Sequence, residues 1–278
     1  MLSPMVLPLG PRLFFVFLLA ISGPGGPLQA NPIPDQLLDD PHFRSEFGLN
    51  EITTPSIQQV FAMVKNLAPL SRNRFTPSPT LPVPVDRSAL ALSLGGLIAE
   101  GFFLVRAREV DALQSLAQRI SNHCSALGTG DRVTRHAKAL LEAAARGAWN
   151  PLEKELASTQ REIEGELVAL RDVGTVHLIS LGGWIRAFEL ASAQVETEFS
   201  VERAELLRRV EVAEYFLDSL QYLEPTVQEQ PSIRSLQTHV AELVDLLRQL
   251  PAPPTPQSVG QLHAKALLLS SSAFSPPR

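Results

Sequence analysis

The sequence predicts an all-α fold, a helical bundle of about seven to nine helices with two buried central helices and no β-sheet. Apolar residues recur three and four positions apart in most segments, and no alternating pattern is long enough for a strand. Two segments, 88–105 and 176–195, are apolar on nearly every side. Such helices are buried on most sides, so we expect these two at the centre of the bundle.

The first thirty residues, 1–30, have the pattern of a secretory signal peptide. One cation, Arg12, precedes an uninterrupted apolar run, Leu13–Ile21, and Ala30 ends the segment. The run is too short to span a bilayer comfortably, so we expect cleavage near Ala30 and no stable transmembrane span afterwards. The predicted destination is the periplasm or the extracellular space. An uncleaved signal would instead leave the protein anchored in the membrane.

The predicted mature chain is mildly acidic. The sequence has 24 Lys and Arg residues and 29 Asp and Glu residues, and of these only Arg12 lies in the first thirty positions. The mature chain therefore has 23 cations against 29 anions, a net charge of −6. Nucleic-acid binding requires a basic surface, so we expect no nucleic-acid partner. A protein or a small molecule remains as the partner class.

Residues 31–85 are predicted to form an N-terminal arm of short helices followed by a proline-rich strap. Thr54 and Pro55 fit a helix start, with a capping residue followed by Pro at the first helical position. Four prolines between 77 and 84 exclude a helix in the strap. The apolar stripe of the arm's second helix consists of Ile57, Val60, Phe61, Val64 and Leu67.

Residues 86–250 are predicted to form the main bundle. Asp86 can cap its first helix, which either continues past Ala107 or gives way there to a second helix. An Asn-Pro-Leu-Glu sequence at 150–153 is a capping box that begins an outer helix. Ser200 and Ser232 are candidate caps of two later helices, the first of them carrying apolar residues as far as Leu220.

Residues 251–278 are predicted to contain a proline-rich linker, a short helix over 257–269 and a loose tail.

Two Ser-Leu-Gly-Gly segments, 93–96 and 180–183, lie within the two apolar helices. A glycine inside a helix lowers the stability of the helix by about 1 kcal/mol relative to alanine. A pair of glycines therefore indicates a compensating packing interaction, and the usual one is the close approach of another backbone. We therefore expect the two helices to cross closely at Gly95, Gly96, Gly182 and Gly183.

Polar residues beside these glycines are the candidate ligand-binding site. Glu100 is the only full charge between 88 and 105, and Arg186 occupies a similar place on the other helix. Glu189 can share Arg186, and Trp184 lies beside the glycines. Two interpretations remain open: an internal ion pair that stabilises the bundle, or a ligand-binding or acid–base pair in a cleft.

No catalytic or metal-binding motif accompanies these residues. The sequence lacks His-Glu-x-x-His, Cys-x-x-Cys and Gly-x-Ser-x-Gly, and its six histidines are scattered. Its single cysteine, Cys124, cannot form an internal disulfide and fits a small buried hydrophobe. We predict no catalytic residues, no cofactor and no metal.

Several segments together resemble a family of uncharacterised, exported, all-helical bacterial proteins. The resemblance implies an exported helical domain and brings no known activity, so no catalytic residue is carried over. It spans roughly residues 44 to 225 and rests on Gly48–Ile57, Leu94–Gly101, Val133–His136 and Ser180–Arg186.

The expected function is non-enzymatic binding or scaffolding in the bacterial cell envelope. The alternative is a small-ligand binder or a hydrolase-like enzyme with its site around Glu100 and Arg186. The two differ in burial: a ligand site requires these side chains to line a cavity open to solvent, whereas a structural role requires them to be sealed and paired.

Overall fold

The structure, a computed structural model, describes residues 82–129 and 172–274 and single positions between 139 and 167. These residues form helices, turns and loops, and none of them lies in a strand, which confirms the all-α prediction. The predicted signal peptide, the N-terminal arm before residue 82 and the predicted capping residues Asn150, Pro151 and Glu153 lie outside the described residues.

Eight helices are defined within the described part of the chain. They are α1 (Arg87–Ala107), α2 (Val110–Leu127), α3 (Val173–Thr197), α4 (Val201–Glu205), α5 (Val210–Gln221), α6 (Pro225–Gln228), α7 (Pro231–Arg248) and α8 (Pro256–Phe274).

Helix α3 lies at the centre and packs against α1 along one side and α8 along another. Helix α1 also packs against α2, and α7 packs against both α5 and α8. Both α1 and α3 are buried almost throughout, as their apolar composition predicted. Among the described residues, α1 alone is long and apolar enough to cross a membrane, but the bundle buries 89% of its most apolar stretch.

The first core helix ends at Ala107, and a second helix follows it. The Asp86 carboxylate accepts a hydrogen bond from the backbone N–H of Ala89 at 2.8 Å and caps the start of α1. Arg108 adopts a left-handed conformation, with φ of 60°, and its N–H bonds back to the last turn. The chain therefore turns at Arg108. Helix α2 then packs antiparallel to α1, and only one side of α2 is buried.

The helix expected from Ser200 to Leu220 is broken into α4 and α5. Ser200 caps α4 as expected, with its hydroxyl accepting from the N–H of Arg203 at 3.2 Å. The break follows from a tertiary interaction: the Arg208 guanidinium donates to the carbonyl oxygens of Leu250 at 2.9 Å and Pro251 at 2.7 Å. This interaction holds the α4–α5 connection against the chain segment that follows α7.

The two C-terminal helices also differ from expectation. Helix α7 begins at Pro231, with Gln230 rather than Ser232 at the cap position. Helix α8 reaches Phe274 instead of ending at 269, because its apolar side continues into the contact with α1 and α3. The segment expected as a loose tail thus joins the bundle as far as residue 274, and the buried side of α8 includes Leu262, Ala266, Leu269 and Ala273.

Candidate functional site

The backbones of α1 and α3 touch where both lack side chains. A Cβ atom on Gly95 would lie 1.9 Å from the carbonyl oxygen of Ile179 and 2.7 Å from the backbone nitrogen of Gly183. One on Gly182 would lie 2.1 Å from the carbonyl oxygen of Leu92. No side chain fits at these distances, so glycine at both positions is what permits the two helices to cross this closely.

Gly96 has a different neighbour from the one that the sequence suggested. Its missing side chain faces Phe274 at the end of α8, and a Cβ atom would lie 2.8 Å from the Cε1 atom of that ring. Gly96 therefore makes room for α8, whereas Gly95, Gly182 and Gly183 form the α1–α3 crossing.

The crossing brings Glu100 of α1 and Arg186 of α3 together in the core. The Nη2 atom of Arg186 lies 3.6 Å from the Oε2 atom of Glu100. The Glu100 side chain is 2% exposed and the Arg186 side chain 6% exposed. The two charges are thus paired in a region that solvent does not reach.

Glu189 and Ser270 extend this pair to a third helix. The Nη1 atom of Arg186 donates to the Oε1 atom of Glu189 at 2.7 Å, one turn further along α3. The other carboxylate oxygen, Oε2, accepts a hydrogen bond from the hydroxyl of Ser270 on α8. Arg186 and Glu189 therefore tie α1, α3 and α8 together.

A second cation, Arg119 of α2, lies within electrostatic range of the pair. Burial lowers the pKa of Arg119, the negative charge of Glu100 opposes this change, and the positive charge of Arg186 adds to it. Sequence periodicity did not reveal Arg119, because periodicity indicates which side of a helix is buried but not which neighbouring helix that side faces. Glu100, Arg119, Arg186 and Glu189, here called the charge cluster, balance two positive charges against two negative ones.

Trp184 does not belong to the charge cluster. Its ring is stacked on Phe188 with a centroid separation of 5.6 Å and lies 5.2 Å from the ring of Phe216 on α5. Residues 184 and 186 point to opposite sides of α3, because each step along a helix turns about 100°. The structure thus brings together three of the four predicted ligand-binding residues and places Trp184 in an aromatic group on the other side of the helix.

A polar contact that sequence reasoning missed joins α1 to α2. The Nδ1 atom of His123 lies 2.8 Å from the carbonyl oxygen of Arg119, and its Nε2 atom lies 3.0 Å from the hydroxyl of Ser93. A carbonyl only accepts, so Nδ1 carries the hydrogen and Nε2 accepts from Ser93. Burial lowers the pKa of His123; the bond to the Arg119 carbonyl opposes the change, and the Arg119 charge adds to it. His123 is thus a neutral core histidine with both ring nitrogens bonded.

A crevice with two polar lining residues lies between α3 and α5 in the described part of the chain. It is a shallow crevice with no room for a water-sized molecule, and apart from His177 and Ser219 its lining is apolar. The Nδ1 atom of His177 lies 3.2 Å from the hydroxyl of Tyr215, and burial lowers the pKa of His177. No Asp, Glu, Lys or Arg residue lines the crevice.

Within the described part of the chain, no three His, Cys, Asp or Glu side chains lie close enough to hold a metal ion. Cys124 is buried and forms no disulfide. Comparisons with protein-family models, curated protein sequences and solved structures found no match to this chain.

Proposed function

We propose that this protein is exported to the bacterial cell envelope and acts there by non-enzymatic binding or scaffolding, with the charge cluster as a structural element of its core. The observation that carries the proposal is the burial of the Glu100–Arg186 pair. A small-molecule site built on Glu100 and Arg186 would need the molecule to reach these polar groups from a pocket. These two side chains instead form an ion pair with each other inside the bundle, and Arg186 also pairs with Glu189.

The arrangement of the charge cluster supports the structural role. Each charge that enters a protein core loses its hydration, and this loss is compensated only when opposite charges and hydrogen bonds surround it. Arg186 meets Glu100 on α1 and Glu189 on its own helix, and Glu189 in turn meets Ser270 on α8. Such a set of contacts fixes which helices are neighbours and how they are rotated, and a rigid bundle of this kind is suited to presenting surfaces to a partner.

Native mass spectrometry of the mature protein, purified from its own cell envelope, tests this function. We expect the mass of the polypeptide without a retained small molecule. Cross-linking in intact cells should then identify a protein partner at a fixed stoichiometry. The Glu100→Gln variant, checked for helix content by circular dichroism, should retain that partner.

Retention of a small molecule would contradict the scaffolding proposal. A small molecule that co-purifies with the wild-type protein, and is lost from a folded Glu100→Gln variant, would assign the charge cluster to ligand binding. In that case the ligand-binding or enzymatic alternative would replace the scaffolding proposal.

A further inference from the structure

Helix α8 is held against α3 by two polar contacts in an antiparallel register. The Nδ1 atom of His263 donates a hydrogen bond to the Oε2 atom of Glu196, and the hydroxyl of Ser270 donates to Glu189. The contacts step seven residues forward along α8 and seven residues back along α3, which is about two helical turns on each. One flank of α8 thus follows α3, and a carboxylate of α3 accepts a hydrogen bond at each contact.

The other flank of α8 follows α7 in the same manner. The Nζ atom of Lys265 donates to the Oε2 atom of Glu242, and the hydroxyl of Ser272 donates to that of Ser235 at 3.3 Å. These contacts are again seven residues apart on both helices and run in opposite directions. His263 and Lys265 point to opposite sides of α8, because each step along a helix turns about 100°. Helix α8 therefore lies between α3 and α7, with polar contacts along both flanks.

The charges at these flanks are distributed unequally between α8 and its neighbours. Segment 256–274 contains one lysine, one histidine and no Asp or Glu, so α8 supplies the donors. The neighbouring helices supply the carboxylates, and the side chains of Glu196 and Glu242 are 44% and 51% exposed. Glu196 lies so close to α8 that a Cβ atom on Gly260 would be 3.1 Å from its Oε1 atom. The attachment of α8 thus includes two carboxylates that protons from solvent can reach.

Helix α8 has less buried surface to hold it than the two central helices have. Seven of its residues are buried, against 16 in α1 and 18 in α3, and two of the seven are alanines. A proline-rich connection that is not helical joins it to α7. Elements with few buried apolar contacts open locally at a lower free energy than the core does. Helix α8 can therefore separate from the bundle while the α1–α3 crossing remains intact.

The contact with α7 has a defined response to acid. Hydrogen bonds from Lys265 and His239 lower the pKa of Glu242. The contribution of Glu242 to the attachment is therefore present above about pH 4.3, the usual pKa of a glutamate, and is lost as pH falls through the lowered pKa. Protonation makes the side chain neutral and ends its ion pair with Lys265 on α8. His239 belongs to the same helix as Glu242, at 3.0 Å from the same carboxylate oxygen, so it does not hold α8 in place of that pair.

The charges that face α8 from α3 are Glu196 and Glu189. Glu196 pairs with the imidazole of His263, and protonation of its carboxylate ends that ion pair as well. Glu189 accepts from Arg186 at 2.7 Å in addition to its contact with α8, and so belongs to the charge cluster. The acid response is therefore assigned to the two exposed carboxylates, one on each flank of α8.

We propose that α8 is an acid-released latch: protonation of Glu196 and Glu242 frees both of its flanks, and α8 then separates from α3 and α7 while the central crossing holds. The released helix uncovers the surface that it covers on α1, α3 and α7. This regulation goes beyond the proposed function and does not rest on it, because it concerns only how α8 is attached.

Hydrogen exchange followed by mass spectrometry on the purified protein tests the release. Protection factors, which correct for the intrinsic effect of pH on exchange, are compared for segments 257–274 and 176–195 at pH values from about 6.5 down to about 3. We expect the protection of segment 257–274 to fall about tenfold or more relative to that of 176–195, because ion pairs and hydrogen bonds to charged groups together contribute at least this factor. An equal fall in both segments, or no fall in 257–274, would overturn the proposal.

Glutamine variants reproduce the uncharged side chains at neutral pH. The double variant Glu196→Gln, Glu242→Gln, checked for helix content by circular dichroism, should have lowered protection of segment 257–274 already at about pH 6.5 and a smaller further loss on acidification than the wild type. A wild-type acid response in the folded double variant would contradict the latch. If the double variant does not fold, the two single variants replace it: each keeps one pair and should respond less than the wild type, and wild-type responses in both would likewise overturn the proposal.

Glu214→Gln is the matched control, because Glu214 pairs with Arg248 at 2.8 Å between α5 and α7 and is 39% exposed. This variant removes a carboxylate of similar exposure from a different pair of helices. It should keep the wild-type acid response of segment 257–274. If Glu214→Gln reduced that response as much as the variants at Glu196 and Glu242 do, the two flanks of α8 would have no specific role in its release.

Discussion

Glu100 and Arg186 face each other across the glycine crossing of α1 and α3, with 3.6 Å between the Oε2 and Nη2 atoms. The close approach of the helices at Gly95 and Gly182 and the pairing of the charges are parts of one arrangement. The glycines bring the backbones together, and the charges one turn or so away then meet inside the core. The arrangement accounts for two otherwise unfavourable choices, glycines inside helices and charges inside a core.

Alanine at the crossing should be strongly destabilising. A Cβ atom at Gly95 or Gly182 would overlap a backbone carbonyl oxygen, at 1.9 Å and 2.1 Å, and a helix backbone cannot move aside as a side chain can. We expect Gly95→Ala and Gly182→Ala each to lower the free energy of unfolding in urea by about 3 kcal/mol or more, at or above the upper end for an overpacked core.

Gly165 is the control for this prediction, because it is helical and a Cβ atom there would meet nothing within 4 Å. Gly165→Ala should raise the free energy of unfolding by about 0.5–1 kcal/mol through helix propensity alone. Equal effects of Gly165→Ala and Gly182→Ala would show that the helices do not touch at residue 182.

Removing the hydroxyl of Ser270 should loosen α8. Ser270 donates to the charged Glu189, and a hydrogen bond to a charged group contributes about 1.5–3 kcal/mol. We expect Ser270→Ala to lower the free energy of unfolding by this amount and to speed proteolysis near the C-terminus. Ser272→Ala, which removes a hydroxyl that donates to Ser235 at 3.3 Å, should change stability by about 0.5 kcal/mol or less. Similar losses in the two variants would contradict the role given to Ser270.

His123 should make stability depend on pH. Burial lowers its pKa in the folded protein below the value of about 6.5 in the unfolded chain, so the unfolded chain binds the proton first as pH falls. The contribution of His123 is therefore complete above about pH 6.5, decreases as pH falls through that value, and stops decreasing below the folded-state pKa.

Urea unfolding at pH 7.5 and pH 5.5 measures this effect. His123→Gln should lose less stability between the two pH values than the wild type does. Part of the pH dependence of stability should remain in the variant, because burial also lowers the pKa of His177. Ser93→Ala keeps the imidazole and should keep the pH dependence. If His123→Gln and the wild type had the same slope, His123 would not be buried and neutral in the native state.

The fold class and the two central helices could be predicted because a helix that is apolar on most sides is buried on most sides. The encounter of Glu100 with Arg186 followed from the same reasoning, since each is the conspicuous charge on a buried helix. Ser270 and Arg119 could not be predicted, because periodicity indicates which side of a helix is buried but not which helix it faces. The break at Arg208 was missed because its cause is a contact with carbonyl groups more than forty residues away.

A double-mutant cycle on the free energy of unfolding measures whether the charge cluster stabilises the core. Glu100→Gln and Arg186→Met should each cost about 3–5 kcal/mol, because each removes one partner of a buried ion pair. The double variant should lose less than the sum, with a coupling of at least about 1 kcal/mol.

The exposed pair Glu214 and Arg248, at 2.8 Å, supplies the reference for that cycle and should show a coupling of about 1 kcal/mol or less. If Glu100→Gln and Arg186→Met each changed stability by less than about 0.5 kcal/mol and added independently, the pair would be accessible and uncoupled. That result would contradict a structural role for the charge cluster.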